Sequence, residues 1–259
     1  MAFVTLNDVT LHYRYRAGSG TPVVFLNSLG TDFRIWDAVS DLIGEGTPIL
    51  CLDKRGHGLS DDGPITMDLL ISDVAALIGH LNLEPAVVCG VSVGGLIAQG
   101  VASSYPQLVA GLVLCCTGAK IGDAASWDAR ISTVTQNGIS GMADSILERW
   151  FSSGFRAGNP ASVAGYRNML TRTPQNGYAG VCAAIRDTDY TVPTAQITCL
   201  THCIAGSEDQ ATPPDVVFAL SQLIGGSHYQ SISGCGHLPC IEAPDVVADA
   251  ISNMQKRLR

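Results

Sequence analysis

Three residues of this chain have the types and the order needed for acyl transfer. Ser92 stands in Gly90-Val91-Ser92-Val93-Gly94-Gly95, Asp209 in Gly206-Ser207-Glu208-Asp209-Gln210-Ala211-Thr212-Pro213-Pro214, and His237 in Gly234-Cys235-Gly236-His237-Leu238-Pro239. A serine hydroxyl is too weakly acidic to attack a carbonyl unaided. It needs a base within hydrogen-bond reach and a third group to orient that base. The order serine, acid, histidine, each in a loop after an apolar run, supplies all three parts. Glu208 adjoins Asp209, but adjacent side chains point in different directions, so only one can face His237. The position ahead of Gln210-Ala211-Thr212-Pro213 favours Asp209. The backbone N–H groups of Val93, just after the serine, and of Leu29, in an earlier post-strand loop, are the candidates for holding an oxyanion.

The elements that must position these groups follow from the apolar pattern. Pro85 to Cys89 is a short, partly β-branched apolar run and reads as a buried strand; Leu96 to Tyr105 reads as a helix stopped by Pro106. Strand, tight turn and helix form the setting of a nucleophile elbow, in which small residues on both sides of the serine allow a sharp, strained turn. The helix N-terminus would favour negative charge at the same place. Earlier, Phe3–Thr5 and Val9–Tyr15 alternate as antiparallel strands around Asn7-Asp8. Pro22–Leu26 and Pro48–Leu52 read as buried strands, with a short helix over Asp37–Ile43 between them and a helix over Met67–Leu81 after them. Leu112–Cys116, Ile197–Ala205 and His228–Ile232 are the later strands, and helices follow from Pro214 and from Pro244 to the basic end Lys256-Arg257-Leu258-Arg259.

This alternation predicts an α/β fold with a mostly parallel, doubly wound sheet and a site beyond the strand C-termini. The rhythm breaks over residues 121–192, where helical pieces (Trp127–Thr135, Gly141–Phe151, Ala161–Thr171, Asn176–Asp187) replace strands. The expected organisation is a core of residues 1–120 and 193–259 carrying an inserted helical cap of residues 121–192.

Composition bounds the function. The 259 residues are 46% hydrophobic, enough for a large core, and no run approaches the roughly 20 apolar residues of a membrane span. A net charge of −8 argues against nucleic acid and anionic membranes as partners. No basic residue precedes the apolar N-terminal stretch, so no secretory signal is read and the cytoplasm is expected. Nine cysteines, mostly inside strand-like runs, suit a reducing compartment and show no paired zinc spacing, so neither a metal nor another cofactor is expected. The remaining histidines read as structural: His12 in the hairpin, His57 in Asp53-Lys54-Arg55-Gly56-His57-Gly58, His80 at a helix end, and His202 and His228 on strands. Asp53 and Arg55 are expected to brace the His57 turn against each other.

The whole chain resembles the α/β-hydrolase superfamily. Asn27-Ser28-Leu29-Gly30, Asp53-x-Arg55-Gly56-x-Gly58-x-Ser60, the Ser92 elbow and Gly234-Cys235-Gly236-His237-x-Pro239 carry the likeness. Within it, Asn27–Asp32 with Trp36-Asp37, Arg149-Trp150-Phe151 and Gly177–Asp187 are similar to the 3-oxoadipate enol-lactonases. Val93 stands where those enzymes are expected to carry methionine, and the histidine loop is closer to the general superfamily. The resemblance implies hydrolysis of a small, anionic enol-lactone to 3-oxoadipate in aromatic-compound degradation, with Ser92, Asp209 and His237 as triad and Leu29 and Val93 as oxyanion hole. It also points to Trp36, Arg149, Trp150 and Arg186 as substrate-binding residues.

Residues 121–192 hold six arginines and six acids, so the −8 resides in the core. A carboxylate substrate therefore needs a local arginine, and Arg149 and Arg186 are the candidates. A carboxylesterase or C–C bond hydrolase is the neighbouring alternative. A ligand receptor with slow turnover is the alternative from another class.

Overall fold

The computed structural model describes residues 1–258; Arg259, counted above with the basic C-terminal end, lies outside the described residues. One eight-stranded sheet runs through the molecule: β1 (Ala2–Leu6), β2 (Val9–Arg16), β3 (Val23–Leu26), β4 (Ile49–Leu52), β5 (Ala86–Val91), β6 (Val109–Cys115), β7 (Leu200–Gly206) and β8 (His228–Ile232). Their spatial order is β1-β2-β4-β3-β5-β6-β7-β8. β1 and β2 pair antiparallel, as do β2 and β4; from β4 to β8 every pairing is parallel. Asn7 and Asp8 take φ of 51° and 62°, the left-handed pair that a two-residue hairpin turn requires.

Burial explains the pattern. Every residue of β3, β4 and β5 is buried, as strands covered on both faces must be, whereas β1 alternates at the sheet edge. The Asp37–Leu42 and Pro244–Arg257 helices pack on each other, and so do Met67–His80 and Val93–Ser104, giving the sheet a helical layer on each face. Gly100 faces Ile71 so closely that a Cβ would overlap it, which lets the latter pair approach.

β3 lies between β4 and β5, so the chain reverses its winding direction there. In an open parallel sheet this switch opens a crevice above the strand ends. The register pairs Leu26 with Gly90, which sets the loop after β3 beside Ser92. β7 and β8 are neighbours in register Gly206 with Ile232, which brings the loops bearing Asp209 and His237 together.

Between β6 and β7 the described residues are helical: Ala124–Asn137, Ala143–Trp150, Ser153–Gly158, Pro160–Thr171, Gln175–Arg186 and Thr191–Thr194. The Ser153–Gly158 helix was not foreseen; Ser152 starts it by accepting from the Phe155 N–H, a short local signal in a Gly-rich stretch. β7 begins at Leu200 rather than Ile197, because the Gln196 and Ile197 amides bond back to Pro193 and Thr194.

The turn after β4 also differs from expectation. Arg55 does not pair with Asp53. Its guanidinium makes a buried fork on Asp73 of the Met67–His80 helix, at 2.6 and 2.7 Å. Asp53 instead accepts from the Phe33 and Leu59 amides and contacts His12 Nδ1 at 2.7 Å. Asp53 and Arg55 are two residues apart, and each finds a partner from another element; Gly58 packs on the Asp53 carboxylate with no room for a Cβ.

Candidate active site

Ser92 follows β5 with φ 59° and ψ −122°, a left-handed backbone that is strained for serine. The glycines make it possible. A Cβ on Gly90 would overlap the Gly94 carbonyl, and one on Gly94 would overlap the Leu26 carbonyl. The Ser92 amide donates to the Cys115 carbonyl at 3.0 Å, and Thr117 Oγ1 donates to the Ser92 carbonyl at 2.7 Å. Both ends of this residue are thus held by β6 and the loop after it.

Asp209 Oδ2 lies 2.8 Å from His237 Nδ1, and both side chains are buried. Oδ1 accepts from the Ala211 and Thr212 amides at 2.7 and 3.0 Å, and Thr212 Oγ1 donates to Oδ2 at 2.8 Å. Burial pushes the Asp209 carboxyl up, but the attraction of His237 and the hydrogen bonds from His237 and Thr212 outweigh it and leave the group below its ordinary range. An ionised acid accepting from Nδ1 leaves Nε2 as the basic nitrogen of His237. Thr212, which sequence reasoning passed over, is the hydroxyl of an Asp-x-x-Thr turn, a local pattern that could have been read.

The histidine loop is tied to the helical segment. The His237 amide donates to the Trp150 carbonyl at 2.8 Å, and the Glu242 carboxylate accepts from Ser152 Oγ at 2.6 Å and from the Gly236 amide at 3.1 Å.

Ser92 and His237 line one cavity of about 120 Å³. Ser28, Leu29, Ala211 and Thr212 complete its wall on the sheet side; Ile121, Trp127, Arg130, Ile146, Arg149, Trp150 and Tyr178 supply the wall from the segment between β6 and β7. Of the sequence-based substrate residues, Arg149 and Trp150 lie here. Trp36 does not: it is fully buried and stacked on Phe25 with ring centroids 4.7 Å apart, because its apolar neighbours draw it into the core under the loop. Arg186 does not either. Its guanidinium meets Asp128 and Asp187, each at 2.7 Å, on the outside of the helices. Arg130 takes the place expected of Arg186, with its guanidinium 5.4 Å from the Trp127 ring centroid. Helical spacing from Trp127 was the available signal. Among the described residues neither Arg130 nor Arg149 is paired with a carboxylate, unlike Arg167, which reaches Asp144.

The loop after β3 is held from beneath by the turn after β4. Lys54 Nζ donates to the Ser28 carbonyl at 2.6 Å and to that of Asn27 at 3.3 Å. His57 Nε2 accepts from the Gly30 amide at 2.9 Å, in keeping with a ring that burial and nearby Lys54 hold neutral. The Cys116 thiol approaches the Asp209–His237 pair, with the three ligating atoms within 4.8 Å of one another. Burial keeps that thiol well above its usual range, so it is protonated and a poor metal ligand.

A strained serine after a central strand, a buried acid–histidine pair and a helical wall over the strand ends define the protein class. A model of the alpha/beta hydrolase family matches residues 23–250, and the chain belongs to that family. It is a carboxylic-ester hydrolase of the 3-oxoadipate enol-lactonase type. The 3-oxoadipate enol-lactonase 2 of Acinetobacter baylyi is 31% identical over 98% of this chain and 96% of its own length. The enol-lactonase from Burkholderia xenovorans LB400 superposes with a TM-score of 0.94 at 30% identity, covering 98% of this chain and all of that one (100%). A thermophilic esterase from Thermogutta terrifontis, in a malate-bound structure, superposes with a TM-score of 0.92 at 26% identity, covering 100% and 99%. Among the described residues no helix is long and apolar enough to cross a membrane.

Proposed function

We propose that this enzyme opens a small anionic enol-lactone, 3-oxoadipate enol-lactone, through an acyl-enzyme on Ser92. The observation that carries the reading is the cavity itself: it joins Ser92 and His237 to two arginines, Arg130 and Arg149, that have no carboxylate partner among the described residues. His237 Nε2 takes the Ser92 proton as Oγ attacks the lactone carbonyl, and Asp209 stabilises the imidazolium that forms. The Leu29 and Val93 amides receive the oxyanion. Collapse breaks the ring C–O bond, and the proton passes from His237 to the departing enol oxygen. The enol, still tethered through its carbon chain, ketonises. Water, deprotonated by His237, then attacks the ester carbonyl; its proton returns to Ser92 Oγ as the acid leaves. A carboxylate on the substrate faces Arg149 or Arg130, where a guanidinium fork is worth more than distant charge in so acidic a protein.

The helices of residues 121–192 then form a cap over a core of residues 1–120 and 193–259. Nine free thiols, all but Cys199 buried, accord with a reducing compartment, the cytoplasm. The reading is tested by turnover of 3-oxoadipate enol-lactone and of a chromogenic acetyl ester, with wild type and Ser92→Ala. Lactone opening abolished by the substitution is the expected result. Ester turnover without lactone turnover would move the assignment to a carboxylesterase, and binding of the lactone without turnover would move it to a receptor.

A further inference from the structure

The peptide group joining Ser28 to Leu29 has its two ends in different surroundings. Its carbonyl is gripped from below: Lys54 Nζ at 2.6 Å, Thr31 Oγ1 at 2.9 Å and the Thr31 amide at 3.4 Å all donate to it. Its N–H, that of Leu29, meets no protein acceptor among the described residues, although Leu29 is buried and lines the cavity with Ser92. A trans peptide sends its C=O and N–H in opposite directions. Fixing the carbonyl toward Lys54 therefore aims the N–H away from it. The neighbouring Gly30 amide is engaged by His57 Nε2, so it does not rotate in to compete. A lysine is an unexpected residue for this duty, since its side chain is nine-tenths or more removed from solvent and burying an ammonium is costly.

We propose that Lys54 is a positioning residue of the oxyanion hole: its buried ammonium holds and polarises the Ser28–Leu29 peptide so that the Leu29 N–H faces the oxyanion formed on Ser92 attack. This inference rests on the reading of Ser92 as the nucleophile. The charge acts through the peptide, whose N–H becomes a stronger donor when its carbonyl is bonded to a cation. The groups facing Lys54 set how long that charge persists. Burial lowers its pKa to about 7, while the carboxylates of Asp53 and Asp32 oppose the fall. Asp53 is itself engaged by His12 and the Phe33 and Leu59 amides, Asp32 is forked by Arg34, and His57 is neutral. Above neutrality the amine still donates a hydrogen bond but no longer carries charge, so the activity falls to a lower plateau rather than to zero.

The experiment follows two readouts on the full chain: the second-order rate at which a fluorophosphonate labels Ser92, read by mass spectrometry, and kcat and KM on a chromogenic acetyl ester, both between pH 6 and pH 9.5. Lys54→Met, with its fold checked by circular dichroism, is expected to lower the labelling rate and kcat about 10- to 100-fold, somewhat less than deletion of an oxyanion donor itself. KM is expected to change less than about twofold, because substrate contacts are untouched. Wild type is expected to lose activity stepwise above neutral pH without unfolding, and Lys54→Met to lack that step. Wild-type labelling and kcat in Lys54→Met would overturn the proposal. If that variant does not fold, the wild-type profile decides: a flat alkaline side overturns the proposal, and a fall with the fold intact supports it. A wild-type protein that is not labelled at Ser92 would overturn the nucleophile reading instead, and this inference with it.

Discussion

The His237 amide donates to the carbonyl of Trp150 at 2.8 Å, so the histidine proposed as the base hangs from a residue that lines the same cavity. Cavity wall and imidazole are thus tied by one backbone contact. Glu242 reinforces it from behind by gripping Ser152 and Gly236 on either strand of the contact. Removing that carboxylate leaves three donors unmatched, the hydroxyl and amide of Ser152 and the amide of Gly236. Glu242→Ala is expected to cost about 1–3 kcal/mol in denaturant unfolding and to lower kcat more than it raises KM. Unchanged kinetics in the folded variant would show that the contact does not govern the imidazole.

Asp209 links activity and acid stability. Its folded pKa is depressed below the ordinary carboxylate value. A depressed acid contributes stability above its unfolded pKa and loses it as pH falls through the folded one. The melting temperature of wild type should therefore fall as pH drops into the carboxylate range, and Asp209→Asn should show a shallower fall. The same substitution leaves His237 without the anion that fixes its tautomer, and kcat should drop about 10³- to 10⁴-fold.

Anion recognition separates the arginines of residues 121–192. Arg149→Ala and Arg130→Ala are expected to raise KM for the anionic lactone about tenfold or more while leaving a neutral acetyl ester little changed. Arg186→Ala is expected to alter neither, since its guanidinium is spent on Asp128 and Asp187 at the surface. Michaelis constants for both substrates across the three variants decide the matter. A selective effect of Arg186→Ala would contradict the geometry.

Lys54 gives stability and activity opposite slopes. Between about 7 and the ordinary 10.5 the unfolded lysine binds a proton that the folded one has released, so stability rises with pH. Buried thiols such as Cys115 and Cys116, raised well above 9.0, reverse the trend once unfolded thiols begin to ionise. Thermal melts should therefore climb from pH 7 toward about 9 in wild type and stay flatter in Lys54→Met. Alkaline loss of activity accompanied by a rising melting temperature would separate the titration of this group from unfolding.

The parts of the protein legible from sequence are those that local chemistry dictates. Ser92 was marked by its glycines, since only small residues tolerate the close approach of Gly90 and Gly94, and the strands by unbroken apolar runs such as Ala86–Val91. Asp209 and His237 were marked by lying in loops after such runs. Their meeting at 2.8 Å follows from β7 and β8 being neighbours, a relation between segments that strand alternation implies without giving the register. Side-chain partners chosen across the fold were a different matter. Arg186 and Arg130 look alike as sequence, and only the packing of the helices aims one at Asp128 and the other at the cavity. Trp36 carried a family pattern but is drawn into the core against Phe25. Arg55 left Asp53 for Asp73, eighteen positions away, and Lys54 went inward to a carbonyl twenty-six positions behind it. Backbone conformation and strand burial depend on near neighbours and so are written locally. The direction of a long charged side chain depends on which distant carboxylate or carbonyl the finished fold leaves within its reach, and that is decided only when the chain has closed.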